Sequence, residues 1–108
     1  MADHKNWNAC FFCEGIYVVI DILQYSNGFW KAYSLWHNEE PFDDIILSGS
    51  LQKYVTNKCG FEIDDYFAIE YGTRAEENKK INLDYRITGI REHVSHMQNF
   101  AEKKIRDL

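Results

Sequence analysis

Asp44-Ile45-Ile46-Leu47-Ser48-Gly49-Ser50-Leu51-Gln52-Lys53-Tyr54-Val55-Thr56-Asn57-Lys58 is the stretch on which the fold turns. Asp44–Ser48 reads as a short third strand, ended by Gly49-Ser50. Ser50 then supplies an N-cap for a helix over Leu51–Lys58, whose Leu51, Tyr54 and Val55 share a face. Gly60 suits the left-handed position that follows a helix end.

Upstream, Phe29–His37 reads as the second strand. One face carries Phe29, Lys31, Tyr33, Leu35 and His37, the other Trp30, Ala32, Ser34 and Trp36. Lysine is seldom buried, so the Lys31 and Tyr33 face is the exposed one and Trp30, Ala32 and Trp36 face the core. Asn38-Glu39-Glu40-Pro41 ends this strand, because Pro41 cannot donate to a ladder. The first strand is Phe11–Tyr25, with Gly15 as a bend or bulge, and Ser26-Asn27-Gly28 is a hairpin turn to the second. Residues 1–9, polar apart from Trp7, belong to a loose N-terminal segment reaching to residue 10.

Downstream, Tyr66–Tyr71 is the fourth strand and Ile81–Ile90 the fifth. Ile81, Leu83, Tyr85 and Ile87 alternate with Asn82, Asp84, Arg86 and Thr88, the cleanest period-2 signal in the chain. Gly72–Lys80 is a charged loop between them. Residues 91–108 read as a helix with Val94, Met97, Ala101, Ile105 and Leu108 in a stripe. The stripe makes a lid over the core, with homodimerisation through it as the alternative. The whole is a single domain that is mainly β: a five-stranded OB-like antiparallel barrel over residues 11–90, a short helix between strands 3 and 4, and a C-terminal amphipathic helix over 91–108. Barrels of this order bind single-stranded nucleic acid, oligosaccharide or protein, and seldom catalyse.

Asp64-Asp65-Tyr66-Phe67-Ala68-Ile69-Glu70-Tyr71-Gly72, the charged loop, and Ile81-Asn82-Leu83-Asp84-Tyr85-Arg86-Ile87 together are similar to the last hairpin of small OB-fold single-stranded-DNA-binding proteins, including phage ones. The resemblance implies a cleft on the face of the second and third strands, walled by the loops after strands one and four.

The chain has 108 residues, of which 45% are apolar, enough for one core. Aromatics make up 16%, more than such a core needs, so some belong on a surface. Net charge is −5, against tight sequence-independent DNA binding. The charge is uneven: −7 over residues 1–73 and +2 over 74–108. An anion-binding surface therefore belongs to the last third. Three cysteines are too few for a disulfide framework. With no apolar signal stretch and no apolar run long enough to span a bilayer, the expectation is a soluble, cytoplasmic protein in a reducing compartment, with no membrane partner.

Two non-catalytic functions follow. The first is single-stranded nucleic-acid binding through Lys31, Tyr33, Arg74, Lys79 and Lys80, with aromatics stacking on bases and cations tracking the backbone. The second is an acidic protein-binding or inhibitory module, imitating nucleic acid, that meets a basic protein through Glu39, Glu40, Asp43 and Asp44. Other carboxylates (Glu62, Asp64, Asp65, Glu76, Glu77) fall in solvated turns, where separated pKa values for acid–base work are not expected. Cys10, Cys13, His93 and His96 have the ligand types of a zinc site. Cys10 and Cys13, however, sit three apart in a strand and face opposite ways, so no metal or other cofactor is expected.

Overall fold

The computed structural model describes residues 4–37, 39–75 and 81–107. Five strands form one mixed sheet in the order β1-β2-β3-β4-β5: β1 His4–Cys13, β2 Ile16–Ser26, β3 Phe29–His37, β4 Asp65–Ala75 and β5 Ile81–Gly89. Three helices complete the chain, α1 Phe42–Lys58, α2 Arg91–His96 and α3 Gln98–Arg106. β3 and β4 are parallel and every other neighbouring pair is antiparallel. The mainly β reading and the antiparallel β4–β5 pair hold. The barrel closure does not: the sheet is open, with β1 and β5 at its edges. The reason lies in α1, which carries the chain from the end of β3 back to the start of a parallel β4, as parallel neighbours require.

The expected strand over Asp44–Ser48 is helical, and α1 runs through Gly49-Ser50 without a break. Its tertiary neighbour explains both residues. A Cβ on Gly49 would lie 2.9 Å from Val94 Cγ2, so the glycine is where α2 comes close. The Ser50 hydroxyl, fully buried, has the carbonyls of Ile46 (2.9 Å) and Val94 (3.0 Å) as its acceptors. It thereby satisfies a carbonyl in the last turn of α2, where helical partners run out. Pro41 stands at the N-cap, and Asp43 and Asp44 fill the first turn, where the helix dipole favours negative charge. The expected end is observed. Gly60 has φ +77°, and the N–H groups of Gly60 and Phe61 donate to Asn57 O and Thr56 O, a Schellman motif.

The expected single first strand is instead a hairpin. Glu14 (φ +53°) and Gly15 (φ +80°) form a two-residue turn, as Asn27 (φ +54°) and Gly28 (φ +83°) do at the next corner. Of the segment expected to be loose, residues 4–10 belong to β1, which pairs along β2 from His4 opposite Tyr25 to Cys13 opposite Ile16, and residues 1–3 lie outside the described residues. This hairpin changes phase midway. Ile20 and Leu23 both enter the core, as strict alternation forbids, and Asn8 between the phases has φ +54°. Beyond that point β2 parts from β3, which it pairs only through residues 22–26. The Leu35 N–H left behind donates to Asp21 Oδ2 at 2.7 Å. The tip of the hairpin wraps α1 instead: Phe11 meets Phe61 at 5.2 Å and Gln52 Nε2 donates to Val19 O at 3.3 Å.

The core lies between the helices and one face of the sheet. Ile20, Leu23, Ala32, Tyr66 and Ala68 from the strands meet Ile45, Ile46, Ile63, Ile90 and Val94. Val94 and Ala101 of the C-terminal stripe are fully buried, and the helices that carry them pack against α1. The expected single helix is two, meeting at Met97. Overall dimensions of 51 × 39 × 23 Å match a two-layer slab.

Two outcomes test this packing. Gly49→Ala improves helix propensity by about 1 kcal/mol, yet it should destabilise the protein by a net ~1–2 kcal/mol through overpacking against Val94. Denaturant melts of Gly49→Ala, Val94→Ala and the double variant should show the two losses to be less than additive. The second outcome concerns Tyr66. Burial pushes its phenol well above the ordinary 10.0, the Thr56 hydroxyl opposes this, and the Asp64 carboxylate adds to it. The unfolded chain loses that proton first, so stability is full below pH 10 and falls as pH rises further, by up to ~1.4 kcal/mol per pH unit. Tyr66→Phe should flatten this alkaline decline when urea midpoints are compared across it.

Candidate functional surface

Because the helices occupy one face, the opposite face of the sheet is left bare among the described residues. Its composition follows from register. Trp7, Ile22, Tyr33 and Phe67 are partners in successive strands, so they form one row across the sheet, in which Trp7 is exposed, Tyr33 and Phe67 are half-buried and Ile22 is buried. Leu35, Ile69 and Ile87 form the next row, and His37, Tyr71 and Tyr85 the third. These rows span roughly 13 Å along the strands and 20 Å across them. Tyr33 and Phe67 stack at 5.0 Å with their planes 19° apart, and His37 meets Tyr71 edge-on at 5.3 Å. Beyond the phase change, Phe12, Tyr17 and Val19 continue the same exposed character along the hairpin.

β5 is the most informative strand here. Its apolar residues point into water: Tyr85 is 73% exposed and Ile87 52%. Its polar Arg86 takes the other side, where its Nη2 lies 2.9 Å from Glu70 Oε2. Over Tyr85–Ile87 the alternation expected from sequence is present, and both sides meet solvent, since the Arg86 side chain is itself 73% exposed. Trp7, 63% exposed, ends the first row at the opposite edge. An apolar surface of this extent is uncommon on a monomer.

The nominated nucleic-acid residues come together only in part. Lys31 and Tyr33 share the bare face, half-buried, while Trp30, Ala32 and Trp36 pack on the core side as expected. The Tyr33 hydroxyl donates to Gln24 Oε1 at 3.1 Å. Arg74 lies in β4 opposite Asn82, with its side chain outside the description, and Lys79 and Lys80 lie outside the described residues. Lys31 also lines a cleft of about 550 Å³ at the end of the sheet where β3 and β4 begin, together with Lys53, Arg91, Glu62, Asp64 and Asp65. Three cations and three carboxylates balance there. Asp64 is partly engaged, its Oδ2 accepting from the Trp30 N–H at 2.9 Å.

The nominated acidic residues do converge. Glu39 and Glu40 are exposed at the corner after β3, and Asp43 and Asp44 are exposed in the first turn of α1. This corner adjoins the bare face: the Glu40 N–H donates to His37 O, and the Glu39 N–H donates to His37 Nδ1 at 3.3 Å.

The cysteine and histidine pairs lie at opposite ends of α1, which is about 25 Å long. His93 packs on Phe42 at its start, and Cys59, beside Cys13, closes its far end. Among the described residues no group of three His, Cys, Asp or Glu side chains is placed to hold a metal, and no helix is long and apolar enough to cross a membrane.

The sequence reading put Leu35 on the exposed face of β3, but it missed Trp7, Tyr71, Tyr85 and Ile87 as exposed and the half-buried Phe67 and Ile69 between them. The excess of aromatics was a signal that such a surface exists, but it could not place it. No family model matches the chain, and neither a curated protein nor a solved structure matches it.

If this face is free surface in the protomer, then Tyr85→Thr and Ile87→Thr should each cost less than about 1 kcal/mol in a urea melt. Ile90→Ala, by contrast, should cost about 2–5 kcal/mol, because Ile90 is only 1% exposed.

Proposed function

We propose that the protein is a non-catalytic binding module whose bare sheet face docks a protein with an apolar patch edged by Lys and Arg. The carrying observation is the exposed apolar side of β5, with Tyr85 and Ile87 in water on the bare face beside Tyr71 and Leu35. Exposed apolar surface forgoes about 25 cal/mol per Å², so a partner that covers it gains that much. Tyr, Trp and Phe with few charges make the usual interface core. The Glu39, Glu40, Asp43 and Asp44 corner beside His37 supplies the rim, and its sign selects a basic partner and speeds encounter.

A second reading, single-stranded nucleic acid, is favoured by one observation: Lys31 and Tyr33 share the bare face beside the stacked Phe67. Stacking contributes about 1–3 kcal/mol per base. Against it, the row holding Lys31 also holds Asp65, and the net charge of −5 opposes phosphate.

Affinity capture from lysate with the immobilised chain distinguishes these. One basic protein should be retained by the wild type and by a Lys103→Ser control, and lost with Tyr85→Thr/Ile87→Thr. Reversal of Glu39, Glu40, Asp43 and Asp44 to Lys should slow its association more than it speeds release. Capture indifferent to the face variant, or sedimentation showing a dimer that the same variant dissolves, would overturn the heterologous partner. Fluorescent oligo(dT) binding at about 50 mM salt, lost in Lys31→Ala/Tyr33→Ala, would install the second reading in its place.

A further inference from the structure

Where the β1–β2 turn meets the end of α1, two thiols come together. Cys13 closes β1 and Cys59 caps α1. The Cys59 sulfur is 3.5 Å from Phe12 O, to which its thiol donates, and this contact sets Cys59 beside Cys13, the next residue of β1. Neighbours hold this junction from both sides. The Phe11 and Phe61 rings meet at 5.2 Å, and the Tyr54 hydroxyl donates to Glu14 Oε2 at 3.0 Å. Cys59 is exposed and Cys13 half-buried, so a small reagent can reach them. The third thiol is occupied elsewhere: Cys10 donates to Asn8 O at 3.3 Å and accepts from the Tyr17 hydroxyl at 2.9 Å.

We propose that Cys13 and Cys59 are a thiol modification site that closes to a reversible disulfide, with a small-molecule disulfide such as oxidised glutathione as the oxidant. Cys59, the more exposed, reacts first. Its thiolate attacks one glutathione sulfur, the glutathione S–S bond breaks, and one glutathione thiolate leaves. The Cys13 thiolate then attacks the Cys59 sulfur of the mixed disulfide and expels the second glutathione. The protein gives up two electrons and two thiol protons, and these appear as two glutathione thiols. Partial burial, then Cys59 and Glu14 alongside, push the Cys13 thiol up, which suits it to the slower, resolving step. The bond ties the hairpin tip to the helix end and closes the chain from 13 to 59, a constraint felt mainly by the unfolded state.

This inference stands apart from the docking face, and so does its test. The full chain is incubated with oxidised glutathione, quenched in acid, digested without reductant and mapped by mass spectrometry. The expected product is a peptide pair joined through Cys13 and Cys59, two hydrogens lighter, with Cys10 still free to alkylate. The oxidised protein should melt roughly 10 °C or more higher, and dithiothreitol should reverse this. Cys10→Ser should leave the product unchanged, whereas Cys59→Ser should abolish it. In concentrated urea the pairing should lose its preference, which ties it to the native fold without relying on any variant. Cross-links through Cys10, dimers joined by disulfides, or a glutathione adduct on Cys59 that never converts would each overturn the proposal.

Discussion

The approach of α2 to α1 at Gly49 governs the rest of the architecture. It needs a residue with no side chain, because Val94 already occupies the place a Cβ would take. It also needs a hydrogen-bond donor in an apolar seam, which the buried Ser50 hydroxyl supplies to the Val94 carbonyl. With that contact made, α1, α2 and α3 form a single layer, and a single layer can cover one face of a sheet only. The burial of Ile20, Leu23, Ala32, Tyr66 and Ala68 beneath the helices and the exposure of Leu35, Tyr71 and Ile87 above are two results of the same arrangement.

The β1–β2 hairpin shows how the sheet adapts to this layer. A flat continuation would carry β2 past α1 without touching it. The phase change at Asn8 and Asp21 instead turns Ala9, Phe11 and Ile20 onto the helix side, and the Asp21 carboxylate takes over as acceptor for the Leu35 N–H that β2 abandons. The bend thus keeps a backbone donor satisfied and brings Cys13 to Cys59. One local distortion serves both the core and the junction at the end of α1.

The bare face gains its character from the same economy of cover. Its rows are aromatic and aliphatic, its charges sit at the edges, and the acidic corner after β3 adjoins its His37 end. Lys31 belongs to this face and also to the rim of the cleft, so the sheet surface and the cleft are continuous.

The sequence by itself determined the elements whose signals are local. Alternation in Ile81–Ile87, the Asn27-Gly28 turn, the stop at Pro41 and the left-handed Gly60 each need only their own neighbours, and each stands where the pattern puts it. Lys31 beside Tyr33 likewise identified the exposed side of β3, since a lysine charge resists burial. Tertiary structure decided what depends on distant partners. Gly49-Ser50 reads as a break because free glycine and serine disfavour helix, and only the opposing Val94 makes them the best residues for that turn. Buried Gln52 and Thr56 blur the apolar stripe of α1 in the same way, the Gln52 amide nitrogen donating to Val19 O and the Thr56 hydroxyl to Lys53 O. For β5, alternation separates an apolar face from a polar one but carries no information about which of them shares its side of the sheet with the helices. That choice is a property of the whole layer, fixed where α2 meets α1.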